Sequence, residues 1–173
     1  PKNLKLAAAL ELDGYFIVGY IGTHGMAHGL SNVLDASDML APDSKTKFLL
    51  VGRGAEKEAL VSEAERRGLD SVVFVSAQTK DQIQDYWSLC DVALVHLKDS
   101  PTFKTVIPSK TFEAMAMALP LIIVAPKGGE VRRIVDEGGV GICVDAGDPA
   151  ALARAAMELE SDPVRRGLLQ RTS

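Results

Sequence analysis

Asp91-Val-Ala-Leu-Val95, then Val106-Ile-Pro-Ser-Lys-Thr-Phe-Glu113-Ala-Met-Ala-Met-Ala-Leu-Pro120, then Leu121-Ile-Ile-Val124 read as strand, helix, strand. The outer runs are apolar apart from Asp91, the pattern of strands covered on both faces. Phe112, Met115, Ala116 and Leu119 recur at i, i+3, i+4 spacing, one face of a helix. Two such strands joined by a crossover helix form a parallel unit, which needs helices over both faces of its sheet. The start of that helix also carries chemistry. A helix N-terminus presents unpaired N–H groups and partial positive charge, a seat for phosphate. Lys110 adds a full positive charge there, and Glu113 lies one turn further on, on the side of Ser109. A cation beside phosphates and a carboxylate able to accept from vicinal hydroxyls suit a nucleotide with a ribose.

The pattern extends in both directions. Further buried strands are expected at Tyr15–Ile21, Lys47–Val51, Val72–Val75 and Val140–Val144, and the run at 91–95 takes its place among them. Helical stripes lie between them at Leu30, Val33, Leu34; at Ile83, Tyr86, Trp87, Cys90; and at Leu152, Ala155, Ala156, Leu159. Thr79 with Gln82 makes a capping box, and Asp148-Pro149 and Asp162-Pro163 read as N-cap followed by proline. Gly68 and Gly138 suit helix C-termini. Repeated alternation of this kind predicts an α/β fold, a Rossmann-like doubly wound parallel sheet of about six strands with helices on both faces. In such sheets ligands bind outside the carboxyl ends of the strands, near the switch in strand order.

Composition narrows the function classes. A chain of 173 residues, 47% apolar and 24% charged, suits one globular domain with a substantial core. Its net charge of −4 speaks against a nucleic-acid partner, and no apolar run reaches the ~20 residues that cross a bilayer. Cys90 and Cys143 lie in apolar segments without ligand-like spacing and are expected as free thiols. Residues 1–14 read as a linker or helix tail from an N-terminal domain outside this sequence, and residues 15–173 as the folded domain.

The loops after the first four strands hold the candidate site. Gly22-Thr-His-Gly-Met-Ala-His-Gly29 is glycine-rich, so its amides can approach an anion, yet it matches neither the dinucleotide fingerprint nor a P-loop. His24 and His28 suit anion contacts, a catalytic group or plain loop residues, and two histidines alone make no metal site. Arg53, between Gly52 and Gly54, can fork onto a diphosphate. Ser76-Ala-Gln78 can present groups to a base. The connection His96–Pro108 is long and irregular, with Lys98 and Lys104 on the same side of the sheet. Ser109 also suits an N-cap, and Glu113 a surface position. Arg53, His28, Ser109, Lys110 and Glu113 are expected to meet in one crevice.

With those residues in place, the chain resembles the C-terminal domain of retaining GT-B glycosyltransferases of the family 4, or group 1, type, from about Tyr15 to Asp162. The resemblance rests on Tyr20–Leu30, Leu49–Ala55 and, most specifically, Pro108-Ser-Lys-Thr-Phe-Glu-Ala-Met-Ala-Met-Ala-Leu-Pro120. It is similar above all to bacterial enzymes that transfer N-acetylated amino-deoxy sugars in surface-polysaccharide assembly. The resemblance implies that this half binds the nucleotide-sugar donor and an N-terminal half binds the acceptor. Gly22, Thr23, His28, Arg53, Ser109 and Lys110 would then bind the diphosphate and Glu113 the ribose. Thr105 and Pro108 would lie near the donor sugar, and Ser76 and Gln78 near the base. The family pattern sets two glutamates eight residues apart; Glu113 matches the second and Thr105 occupies the first. The family's Arg and Lys in the first loop correspond to Thr23 and His28, which shifts charge onto Arg53, Lys110 and the helix amides.

The expected function is transfer, with retention, from a nucleoside-diphosphate sugar, UDP-linked, to a polysaccharide or lipid-linked acceptor. The resemblance implies no cofactor and no metal, no assigned catalytic nucleophile, and a cytoplasmic setting, with peripheral association of the whole enzyme at the inner membrane face. The acceptor would reach the chain through the N-terminal half, without which this piece would not turn over. Two rivals stand beside this reading: half of a sugar-nucleotide epimerase, which needs an acid–base pair not evident here, and a non-catalytic Rossmann-like interaction module.

Overall fold

The computed structural model describes residues 1–172. Six strands, β1 (Phe16–Ile21), β2 (Thr46–Val51), β3 (Val72–Val75), β4 (Val92–His96), β5 (Leu121–Ala125) and β6 (Gly141–Asp145), form one sheet. Every pairing is parallel, in the order β3-β2-β1-β4-β5-β6. The order reverses between β1 and β4, joined only at Val18↔Val92 and Gly19↔Ala93. The expected doubly wound sheet is therefore the observed one.

Among the described residues eight α-helices connect and flank the strands: α1 (Leu4–Ala9), α2 (Ser31–Asp38), α3 (Lys57–Arg67), α4 (Lys80–Leu89), α5 (Ser109–Ala116), α6 (Glu130–Gly138), α7 (Pro149–Ser161) and α8 (Pro163–Thr172). Two cores result, one per sheet face. Phe16, Val18 and Tyr20 of β1 pack with residues of α2, α3 and α7, whereas Ile17 and Ile21 pack with residues of α1, α4, α5 and α6. The period-two split of one strand between two layers is what a doubly covered sheet requires. No helix among the described residues is long and apolar enough to cross a membrane. Both cysteines are free thiols, Cys90 buried and Cys143 partly so.

Several boundaries differ from those expected. Asp91 lies just before β4, its N–H donating to the Ile17 carbonyl and its carboxylate accepting from the Ile17 N–H, each at 2.8 Å, while His96 joins the strand opposite Val124. The left-handed residue ending α6 is Gly139, at φ 60°, and Gly138 is still helical. Residues 4–9, within the stretch read as a linker or helix tail, form α1, capped by Asn3 Oδ1 accepting from the Leu6 N–H at 3.1 Å. Ala7 and Leu12 pack into the second core, and Lys2 pairs with Asp91 at 3.3 Å. The cap signals at Asp148, whose Oδ1 accepts from the Ala151 N–H, and at Asp162, which accepts from Arg165, are as expected.

Candidate functional site

The carboxyl ends of β1, β2, β3 and β4 open onto two adjoining cavities. The larger, of about 450 Å³, is lined by residues including His28, Phe103, Pro108, Ser109, Lys110 and Glu113. The smaller, of about 200 Å³, is lined by Val51, Gly52, Arg53, Ala77 and Gln78. Ile21, Gly22, Thr23 and Ile83 line both, so the two form one groove across the switch point.

Lys110 dominates the larger cavity. It follows Ser109 at the start of α5, whose N-cap position is Pro108. Proline offers no side-chain acceptor, so no side chain caps α5, and within the first turn the Thr111 N–H turns back to the Pro108 carbonyl at 3.0 Å. Ser109, suited to an N-cap in the sequence, sits one residue inside; its hydroxyl donates instead to Glu113 Oε1 at 3.3 Å. Lys110 is only 8% exposed, and its ammonium has no hydrogen-bond partner among the described residues. It lies 3.7 Å from the centre of the Tyr20 ring, an attraction that offsets part of its lost hydration. Burial pulls the ammonium down from the ordinary lysine range to about 8, against the opposing pull of Glu113. Gly22 makes room: a Cβ there would stand 2.5 Å from Lys110 Nζ.

The loops are tied to one another by backbone bonds. Tyr20 donates its hydroxyl to the Thr23 carbonyl at 2.6 Å. The His24 N–H donates to Arg53 O at 2.9 Å, and the Glu56 N–H to His24 O at 3.0 Å. Gly52 permits this approach, since a Cβ there would run into the Gly22 carbonyl. Lys57, in the first turn of α3, donates to the carbonyls of Gly52 and Val75, each at 2.7 Å. The Arg53 side chain is exposed and has no ion pair or hydrogen bond among the described residues.

A second cluster orders the first loop. His96 is 2% exposed; its Nδ1 donates to His28 O at 2.5 Å and its Nε2 meets the Asn32 amide at 2.9 Å. A carbonyl only accepts, so Nδ1 carries the proton and Nε2 accepts from Asn32. His28 Nδ1 in turn donates to His96 O at 3.4 Å. Burial, above all, lowers His96 and His24 to about 4 and lowers His28 below the ordinary histidine range.

His28, Ser109, Lys110 and Glu113 thus share the larger cavity, and Arg53 and Gln78 the smaller, with Gly22 and Thr23 common to both. Ser76 holds the Gln78 amide through its carbonyl at 2.9 Å without lining the cavity itself. Thr105 is exposed at the end of a short 3-10 turn and does not line the groove, whereas Phe103, Val106 and Pro108 do. The structure adds Tyr20, Lys57, His96 and Asn32 as residues that shape the site. Lys57 had a readable signal: a lysine in a first turn, where the helix dipole disfavours it. No group of three or more His, Cys, Asp or Glu able to hold a metal is found among the described residues.

A family profile described as "Glycosyl transferases group 1" matches residues 15–162. The chain belongs to the group 1 glycosyltransferases. Among curated relatives of this glycosyltransferase domain, the probable glycosyltransferase WbjE of Pseudomonas aeruginosa is 31% identical over 149 residues, 86% of this chain and 37% of its own length. The putative colanic acid biosynthesis glycosyl transferase WcaI of Escherichia coli K12 is 30% identical over 141 residues, 81% of this chain and 34% of its own. The chain therefore spans little more than a third of these relatives. The GT-B fold is matched by the Anabaena protein HepE, solved in complex with UDP-glucose, at a TM-score of 0.81 and 22% identity, covering 97% of this chain and 45% of that one.

Proposed function

We propose that this domain is the donor-binding half of a retaining glycosyltransferase that takes a UDP-linked sugar and serves a polysaccharide or lipid-linked acceptor. One observation carries the reading: the unpaired ammonium of Lys110, buried at the uncapped N-terminus of α5, lines the cavity that adjoins the one holding Arg53. A buried charge without a partner is costly and marks a place built for an anion. The UDP-glucose complex of HepE and the colanic acid role in the name of WcaI support the donor and acceptor classes.

In this reading Arg53, Lys110, His28 and the α5 amides meet the diphosphate, and Glu113, held by Ser109, accepts from the ribose hydroxyls. Gln78 faces the base, with Ser76 fixing it, and Pro108 borders the donor sugar. Catalysis is electrostatic: these groups stabilise the departing diphosphate as the sugar gains oxocarbenium character. Binding needs no metal, the cations of the chain taking that place. The acceptor comes through a second, N-terminal half, so the 173-residue chain binds nucleotide without transferring sugar. The whole enzyme works in the cytoplasm, against the inner membrane face.

Calorimetric titration of the chain with UDP, with and without EDTA, tests this. Binding indifferent to EDTA and weakened roughly tenfold or more by Lys110→Ala supports the proposal. No UDP-dependent heat, or full affinity in Lys110→Ala, points to a non-catalytic module instead. Product analysis of the whole enzyme with donor alone separates transfer from epimerisation.

A further inference from the structure

The proton on His28 Nδ1 is committed to the His96 carbonyl at 3.4 Å. A neutral imidazole so bonded keeps a bare lone pair on Nε2. That nitrogen has no partner among the described residues and is not a buried orphan, while the ring lines the larger cavity beside Lys110. A lone pair repels a phosphate oxygen; an N–H attracts it. From this geometry we propose that His28 enters the empty site neutral and takes a proton from solvent onto Nε2 when the donor diphosphate binds, so that donor binding is coupled to proton uptake. The inference rests on the donor reading above and specifies how one of its contacts operates.

The surroundings set the direction. Burial and the Lys110 ammonium of α5 disfavour charge on His28, while the His96 carbonyl of β4 and the Glu56 carboxylate before α3 favour it. The Tyr20 ring of β1 lies edge-on at 5.9 Å, and His24, itself neutral, lies near enough to feel the His28 charge. In the empty groove the disfavouring groups prevail. A diphosphate brings about two negative charges into the same space and also neutralises the effect of Lys110, which reverses the balance. The added proton comes from water and stays on Nε2, donated to a phosphate oxygen; Nδ1–H remains on the His96 carbonyl throughout. His96 acts as a positioning residue, since its own ring is locked between His28 O and the Asn32 amide. The outcome is a contact that is strong below neutral pH and fades above it, unlike a permanent cation.

The test is UDP titration of the 173-residue chain at pH 7 in two buffers of different ionisation enthalpy, for wild type, His28→Gln and His28→Lys, with each variant's fold checked by thermal melting. Protonation of UDP itself contributes alike to all three, and His28→Gln, which places no charge beside Lys110, is the comparison that isolates His28. Wild type is expected to take up close to one proton more per UDP than His28→Gln. His28→Lys, with its permanent charge, is expected to bind without that excess. Across pH 6.5 to 7.5 the wild-type affinity should then fall more steeply than that of either variant, by up to about tenfold per pH unit for a full proton. Equal uptake in wild type and His28→Gln, with UDP bound by both, overturns the inference and leaves the donor reading standing. Absence of UDP binding in all three overturns both.

Discussion

The ammonium of Lys110 stands 3.7 Å from the centre of the Tyr20 ring and has no hydrogen-bond partner among the described residues. This places an uncompensated positive charge in the first turn of α5, beside the larger cavity. Replacing it with alanine removes a charge-assisted contact worth about 1.5–3 kcal/mol to a bound anion. Lys110→Ala is expected to weaken UDP binding roughly tenfold to hundredfold, measured by calorimetry. The empty protein should not be destabilised to match. The pH dependence of its stability follows the same burial. Folding lowers this lysine from the ordinary value of 10.5 to about 8, so the unfolded chain binds more protons between those values. Stability gains from this group as pH rises from 8 to 10.5 and loses the gain as pH falls back through 8. Chemical denaturation of Lys110→Met across that range should lack the rise.

Gly22 and Gly52 separate the binding and folding roles of the glycines. A Cβ on Gly22 meets the far end of the Lys110 side chain at 2.5 Å, which can move aside. Gly22 sits at φ +154°, which an L side chain rarely adopts, so Gly22→Ala should lose some stability to backbone strain and bind UDP several-fold more weakly, because the ammonium is displaced. A Cβ on Gly52 meets the rigid carbonyl of Gly22. Gly52→Ala, strained in the same way at φ +155°, should lose about 1–3 kcal/mol more by overpacking and be the less stable of the two. Thermal melts paired with UDP titrations distinguish the two; equal destabilisation would contradict the assignment.

His96 links the sheet to the first loop, and its removal should be felt as lost stability. His96→Leu leaves the Asn32 amide and the His28 carbonyl without their partner, each at about 1–3 kcal/mol for a buried polar group. Acid should act through the same residue. The folded value of about 4 lies below the 6.5 of an unfolded histidine, as it does for His24. Stability from both is complete above pH 6.5 and is lost progressively as pH falls toward 4. Melting temperatures measured from pH 7 to 4 should drop less steeply in His96→Leu than in wild type.

The sheet was legible because its strands are apolar on both faces, and the groove because charged residues cluster just past their ends. What stayed hidden were interactions between segments distant in sequence. Nothing local announces that the Asp91 carboxylate will accept from the Ile17 amide just before β4, which begins at Val92, one residue later than the run read from the sequence. Likewise the bonds of Lys57 to Gly52 and Val75, and of His96 to His28, go to backbone carbonyls that only the folded sheet brings near. Thr105 was placed by register with a family pattern, yet the 3-10 turn of Pro101–Thr105 lifts it out of the groove and presents Phe103 and Val106 in its stead.

Glu113 offers the sharpest test of the ribose assignment. It is exposed, and Ser109 binds only its Oε1, leaving Oε2 free to accept from a hydroxyl. A carboxylate that accepts from the ribose 2′-hydroxyl distinguishes UDP from 2′-deoxy-UDP. Wild type should prefer UDP by roughly tenfold, the worth of one hydrogen bond to a charged group. Glu113→Ala should lower affinity for UDP and leave 2′-deoxy-UDP nearly untouched, so the preference disappears. Ser109→Ala, which frees the carboxylate to move, should shrink the preference without abolishing it. A Glu113→Ala protein that still discriminates between the two nucleotides would mean that the ribose lies elsewhere in the groove.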